Sequence, residues 1–305
     1  MDASNQPADL AGRFDAQRAH LHAVAYRMLG SATEADDAVQ EAWLRLSRAD
    51  ISQIHALEPW LRTVVARLCL DMLRTRAARR EEPLEWHAAA QAQADEPEQE
   101  AVLADDVGRA MLVVLDRLSP AERVAFVLHD LFAVPFDQIS PIVDRTVVAT
   151  KKLASRARSR VRGAPVLGDS VPSADIARQR QVVEAFLAAA RAGDLTALLA
   201  VLAPDVARHA DPAVLHRGGR ELIRGADAVA RQTLVLRRRA RFAAPALVNG
   251  AVGAIIAPHG RLQLVLAITV RDDRIAWYDV IADPARLRQV DLAVLDERPG
   301  HRNGR

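Results

Sequence analysis

The stretch Leu118–Arg162, LSPAERVAFVLHDLFAVPFDQISPIVDRTVVATKKLASRARSRVR, decides how this chain is organised. Ser119-Pro120-Ala121-Glu122 reads as a helix start: a capping hydroxyl, a proline at the first helical position, and a glutamate placed to reach back to the cap. The apolar pattern carries that helix through Val127 and Leu131. A short helix, Phe136 to Val143, follows, then a tight connection at Asp144-Arg145-Thr146, then a longer helix to Val161. Short helix, tight turn and longer helix is the helix-turn-helix layout. Two residues depart from it: Pro141 lies inside the short helix, and Asp144 stands where glycine is more usual. In the last helix Ala149, Leu153, Ala157 and Val161 recur every four residues and are expected to pack inward. The opposite arc carries Val147, Lys151, Ser155, Arg158 and Arg162, with Lys152 beside it and Arg156 farther round. The chain has no other lysine, so both lysines fall in the first turns of the helix that such a motif points at base edges.

Upstream, the pattern from Phe14 to Arg80 is helical throughout. Ala35, Ala38, Val39, Ala42, Trp43 and Leu46 share one face. Gly30 ends the preceding segment, and Thr33 with Asp36 three residues on is an N-terminal capping arrangement. The outward face carries Asp37, Glu41 and Arg45. A second helix runs from Pro59 to about Arg76, with Leu61, Val64, Val65, Leu68 and Met72 inward. Arg62, Arg67, Asp71, Arg74 and Arg76 project from its remaining surface. This predicts a bundle of three or four helices over residues 10–80.

Residues 81–107 have no sustained period, contain Pro83 and Pro97, and are acidic without a single Lys or Arg between Glu81 and Asp106; they are expected to be a linker. Arg145 to Arg162 carries only positive charge. An acidic block beside a basic one suits a solvated tether next to a polyanion-binding element, although two solvated surfaces give the same pattern. Over the 305 residues these blocks nearly cancel, with 41 Lys+Arg against 39 Asp+Glu. That length leaves room for two or three domains. No window approaches 18 apolar residues without a charge, so no membrane span is expected. Met1 to Gly12 has two aspartates and no apolar run, so no secretory leader is expected, and the location implied is cytoplasmic. The lone Cys69 excludes an intramolecular disulfide and a cysteine-rich zinc site, and no metal or cofactor is expected.

Beyond a second linker at 164–174 the chain changes character. A helix from Ile176 to Arg191 ends at Gly193-Asp194, a shorter one covers Leu195 to Leu202, and another is expected over Ala226 to Arg238. Phe242–Val248, Asn249-Gly250 and Ala251–Ala257 read as strand, turn and strand. His259-Gly260 turns into Leu262–Val270, and Asp272-Asp273 into Ile275–Ile281. Helices followed by a meander of antiparallel strands predict an α+β cone over residues 175–296, with a tail at 297–305.

Four stretches in order, DDAVQEAWLRL (Asp36–Leu46), PWLRTVVARLCLDMLRTRAARR (Pro59–Arg80), LSPAERVAFVLHDLF (Leu118–Phe132) and LASRARSRVR (Leu153–Arg162), together resemble an extracytoplasmic-function sigma factor of bacterial RNA polymerase. GDLTALLAVLAPDV (Gly193–Val206) and ALVNGAVGAII (Ala246–Ile256) resemble the SnoaL-like, NTF2-type domain fused to one subgroup of these factors. The fold implied is multidomain: an all-α sigma domain 2 bundle at 10–80, an all-α sigma domain 4 helix-turn-helix at 108–163, and a C-terminal α+β SnoaL-like cone.

The resemblance implies that Asp36, Asp37, Glu41 and Arg45 meet the β′ clamp helices of polymerase core, with the β flap a further contact of the factor. It implies that Trp60, Arg62, Arg67, Asp71, Arg74 and Arg76 read and melt the −10 promoter element, where bases need stacking surfaces and phosphates need cations; Trp60 is equally suited to a core. It assigns Arg145, Thr146, Val147, Lys151, Lys152, Ser155 and Arg156 to the −35 duplex. The function implied is promoter-specific initiation by polymerase core rather than enzyme catalysis, with the cone as regulator and a small ligand of the cone conceivable. The alternative is a helix-turn-helix regulator fused to a catalytic cyclase or isomerase, for which His209, Asp211, His216 and Asp279 are the acid–base candidates and His209 and Asp211 would share a strand face.

Overall fold

A computed structural model describes residues 6–81, 106–163, 173–215 and 219–295. The linkers expected at 81–107 and 164–174, the tail at 297–305 and His216 therefore lie largely or wholly outside the described residues. The described chain separates into two compact units, one holding residues up to 100 together with 115–158, the other holding 101–114 and 159 onward.

The first unit opens with three long helices, α1 (Gln6–Leu29), α2 (Ala32–Arg48) and α3 (Leu57–Glu81). Gly30, at φ 74°, ends α1 in a left-handed turn that a side chain would resist. The reversal is completed at once, so the cap of α2 is Ser31, whose hydroxyl accepts the Glu34 N–H at 3.4 Å. The capping expected from Thr33 and Asp36 is corrected accordingly: both lie inside the helix. Phe14, Leu21, Val24 and Met28 of α1, Ala35, Val39, Ala42 and Leu46 of α2, and Leu61, Val65, Cys69 and Leu70 of α3 are buried together. Each fully buried leucine or phenylalanine of that set contributes on the order of 2 kcal/mol. The thiol of Cys69 is pushed up to about 12 by burial, despite the nearby positive charge of Arg123.

Downstream come α4 (Asp106–Asp116), most of it in the second unit, then α5 (Pro120–Phe126), α6 (Phe136–Val143) and α7 (Val147–Arg162), which belong to the first but for the last residues of α7. α5 starts on the anticipated capping box: Glu122 N–H donates to the Ser119 hydroxyl, and the Glu122 carboxylate accepts from the Ser119 N–H at 3.1 Å. The extension through Leu131 exists, but as a wider π-helical turn over Val127–Leu131 rather than α-helix.

In the second unit α8 (Ser173–Ala192) and α9 (Leu195–Val201) lead into β1 (Leu202–Ala210) and β2 (Leu222–Arg224). Next come α10 (Ala226–Val235) and α11 (Arg237–Ala240), one expected helix broken at Leu236. Strands β3 (Ala243–Val248), β4 (Ala251–Ile256), β5 (Leu264–Arg271) and β6 (Arg274–Ile281) follow, then α12 (Pro284–Gln289) and β7 (Leu292–Ala293). The hairpins turn where expected, with Asn249 and Gly250, and Asp272 and Asp273, at positive φ. Gly253 is required by strand contact: a Cβ there would lie 2.3 Å from the Leu266 carbonyl oxygen.

The sheet order is β2-β1-β6-β5-β4-β3-β7. The meander expected from Phe242 to Ile281 is present as β3 to β6, antiparallel throughout, and the sheet is made mixed by β1, which pairs parallel with β6. α8 lays Val183, Phe186, Leu187 and Ala190 on one sheet face. Arg191 fixes its end by donating to the carbonyls of Ala240 and Ala243, at 3.1 and 2.6 Å. This is the helix-on-sheet α+β layout expected of a SnoaL-like cone.

Candidate nucleic-acid interface

α6 survives its internal proline through one local exchange. Pro141 has no N–H for the Asp137 carbonyl, and the Ser140 hydroxyl donates to that oxygen instead, at 3.2 Å. The helix then stops at Asp144, held at φ 55°, ψ 55° with its N–H on the Ser140 carbonyl. Thr146 caps α7, its hydroxyl accepting the Ala149 N–H at 3.2 Å. α7 packs inward through Leu153, Ala154, Ala157 and Val161; Thr150 is fully buried as well, while Ala149 is only half-buried.

The side chains that remain form the outer arc. Val147, Lys151, Lys152, Ser155 and Arg156 are exposed along α7, and Arg145 is exposed in the turn before it. Val148 joins them at 65% exposure, an apolar surface at the helix start that the sequence reading did not single out. Arg145 donates to the Asp144 carbonyl at 2.7 Å, and Arg156 pairs with the buried Glu122 carboxylate at 3.1 Å. Arg158, half-buried, pairs with Asp130 at 2.5 Å and so ties α7 to the π-turn. An open groove lined by Ser140, Pro141, Asp144, Arg145, Thr146 and Ala149 runs between the turn and the start of α7.

Along α3 the expected set divides. Arg67, Asp71 and Arg74 are exposed and Trp60 is half-buried. Arg74 pairs with Asp71 at 3.6 Å. Arg76 is committed inside the bundle, donating to the Leu29 carbonyl and pairing with Glu34. Arg62 donates to the Gln138 side-chain oxygen at 2.8 Å, and Arg67 to the Pro141 carbonyl at 3.3 Å. Both acceptors lie on α6, so two cations of α3 rest on the first helix of the helix-turn-helix. Nothing in the spacing of either motif announces that contact.

On α2 the outward carboxylates stand clear of the bundle core. Asp36 meets His22 at 3.3 Å, Glu41 accepts from Arg45 at 3.0 Å, and Asp37 is exposed.

Of the acid–base candidates in the second unit, His209 and Asp279 come together, while His209 and Asp211 do not share the strand face expected of them. His209 and Asp279 are cross-strand neighbours on β1 and β6 and hydrogen-bond at 2.9 Å, with the Trp277 indole N–H donating to the same carboxylate at 3.2 Å. Asp211 is not on their strand face: it follows the end of β1 and points elsewhere. Its carboxylate accepts the N–H groups of Ala282 and Asp283, both at 2.9 Å, and pairs with Arg286. Burial works to raise the pKa of Asp211, and those backbone donors and Arg286 outweigh it and hold the carboxyl below its ordinary range. It is a structural brace for the start of α12. Among the described residues no cluster of His, Cys, Asp and Glu is placed to hold a metal ion.

These elements define a helical unit that contains a helix-turn-helix, together with an α+β unit. The family model for Sigma-70 region 2 matches residues 14–79, and that for Sigma-70, region 4 matches residues 108–161. The chain is 40% identical over 293 residues to the ECF RNA polymerase sigma factor SigJ of Mycobacterium tuberculosis, covering 89% of this chain and 91% of that protein. It is 35% identical over 292 residues to the probable ECF RNA polymerase sigma factor SigI of the same species, covering 93% and 96%. The crystal structure of Mycobacterium tuberculosis SigJ aligns over 91% of this chain and 98% of its own, at 34% identity and a TM-score of 0.42. The chain belongs to the extracytoplasmic-function sigma factors of RNA polymerase.

Proposed function

We propose that this chain recruits RNA polymerase core to a restricted set of promoters, with α7 reading the −35 duplex and α3 holding the melted −10 element. The observation that carries the reading is the exposed arc of α7. It holds both lysines of the protein, short polar Ser155 and apolar Val147, with a capped helix start beneath them. Cations there neutralise phosphate, and the short and apolar groups suit base edges and thymine methyls. For the −10 element the reading rests on Trp60, Arg62, Arg67, Asp71 and Arg74, with Arg76 as their support from within the bundle. For polymerase it rests on Asp36, Asp37, Glu41 and Arg45, which suit a basic partner helix such as the β′ clamp. The place of action is then the cytoplasm; no helix among the described residues is long and apolar enough to cross a membrane.

Arg62 and Arg67 resting on α6 add a condition. Promoter elements that lie apart on DNA call for α3 and α6 to separate, so the contact is a closed state that polymerase opens. We read the C-terminal domain as regulatory rather than catalytic, because the His209–Asp279 pair stands on the sheet face opposite its cavity. A gel shift with promoter duplex tests the whole reading. Retardation is expected only with polymerase core present; tight binding by the chain alone favours a polymerase-independent regulator.

A further inference from the structure

The second unit buries a cation with no counter-charge among the described residues. Arg208 lies mid-way along β1, only 3% exposed, and its Nε and Nη1 atoms have no hydrogen-bond partner. Strand alternation separates it from His209: Val206, Arg208 and Ala210 face the interior under α8, while His209 points to the other side. Its cross-strand neighbour Tyr278 shares that interior.

Between α8, α10, α11 and the sheet is a cavity of about 50 Å³, whose polar lining is Arg208, Tyr278, Gln232, Thr233 and Arg239 and whose wall is otherwise apolar, Phe186, Leu187, Ala243 and Leu266 among it. No carboxylate of the described residues lines it. Tyr278 is not free to serve as a donor. The Thr233 hydroxyl gives its proton to the Val229 carbonyl at 2.8 Å and so accepts from the Tyr278 hydroxyl, 3.0 Å away. Burial holds the Tyr278 phenol protonated by raising its pKa, and works against the charge on Arg208 by lowering that group's own. An isolated buried guanidinium is costly, and an anion supplied from solution offsets that cost better than any neutral occupant.

We propose that this cavity binds a small monocarboxylate, its carboxylate on the unpaired N–H groups of Arg208 and its short alkyl part against Phe186, Leu187 and Leu266. The volume sets the size at a few heavy atoms, in the range of acetate to butyrate. A tetrahedral oxyanion is disfavoured, because Arg208 is the one buried guanidinium on a mostly hydrocarbon wall, Arg239 being exposed to solvent, and phosphate needs donors on every side. Binding of this kind is independent of polymerase and DNA, so it stands or falls apart from the role in initiation.

The test is calorimetric titration of the full chain with acetate, propionate and butyrate at fixed ionic strength, with butyramide and inorganic phosphate as controls. Saturable binding at one site is expected for at least one carboxylate, at least tenfold tighter than for butyramide or phosphate. Arg208→Met should weaken it at least tenfold. Should that variant fail to fold, Ala243→Leu keeps Arg208 and fills the cavity, and should abolish binding equally. Absence of saturable carboxylate binding, equal binding of butyramide or phosphate, or binding untouched by these substitutions overturns the proposal.

Discussion

Asp144 sits at φ 55°, ψ 55° between α6 and α7, a conformation that costs an L-residue about 1 kcal/mol and glycine almost nothing. Its N–H contact to Ser140 is a backbone contact that glycine would keep. Asp144→Gly is therefore expected to stabilise the protein by roughly 0.5–1 kcal/mol, read as a higher midpoint in denaturant. Asp211 gives the opposite case. Its carboxyl titrates below the ordinary range, so the stability it contributes is present above the unfolded-state value near ~3.9 and is lost as pH falls through the lower folded-state value. Asp211→Asn should cost about 1–3 kcal/mol at neutral pH, and the gap between variant and parent should close as the pH is taken below about 4. A gap that persists unchanged in acid would mean that the charge is not what Asp211 contributes. At this scale the sequence is a partial guide. It named His209, Asp211 and Asp279 by type, but a carboxylate that braces a backbone and one that orients an imidazole look alike until their partners, some 70 residues distant in the chain, are known. Arg208 went unnoticed for the same reason, since an arginine is ordinary until its burial is seen.

The elements were legible where local chemistry dominates. The capping box at Ser119, the reversal at Asn249-Gly250 and the inward row Leu153, Ala157, Val161 all depend on residues within a turn or two of each other. Pro141 inside α6 looked like a breaker, and the missing hydrogen bond is supplied by the residue beside it. What escaped sequence reading was pairing between distant elements: β1 alongside β6, and α3 on α6. Arg62 and Gln138 are 76 residues apart and neither is unusual for its helix surface. The contact includes two exposed hydrogen bonds, each worth about 1 kcal/mol, which suits a junction that has to open. Gln138→Ala, which removes one of them, is expected to raise promoter binding by the polymerase complex about two- to fivefold with no loss of thermal stability beyond a degree or two. Weakened promoter binding would instead make Gln138 part of the DNA surface.

For the whole molecule, the fold separates two tasks. The helical unit presents exposed cations and short polar groups on α7 and α3, while the α+β unit keeps its chemistry inside, in a small apolar cavity with one buried guanidinium. Family membership accounts for the first task, and the proposed carboxylate site concerns the second. The central claim is that α7, through Lys151 and Lys152, directs polymerase core to a promoter. Run-off transcription with purified core and a panel of promoter fragments, repeated across a salt series, tests it most directly. The wild-type chain should give discrete promoter-dependent transcripts absent with core alone. Lys151→Ala/Lys152→Ala should lose them at lower salt, with the slope of log promoter affinity against log salt reduced by about 2. Transcripts no different from core alone, or a double variant indistinguishable from wild type at every salt concentration, would contradict it.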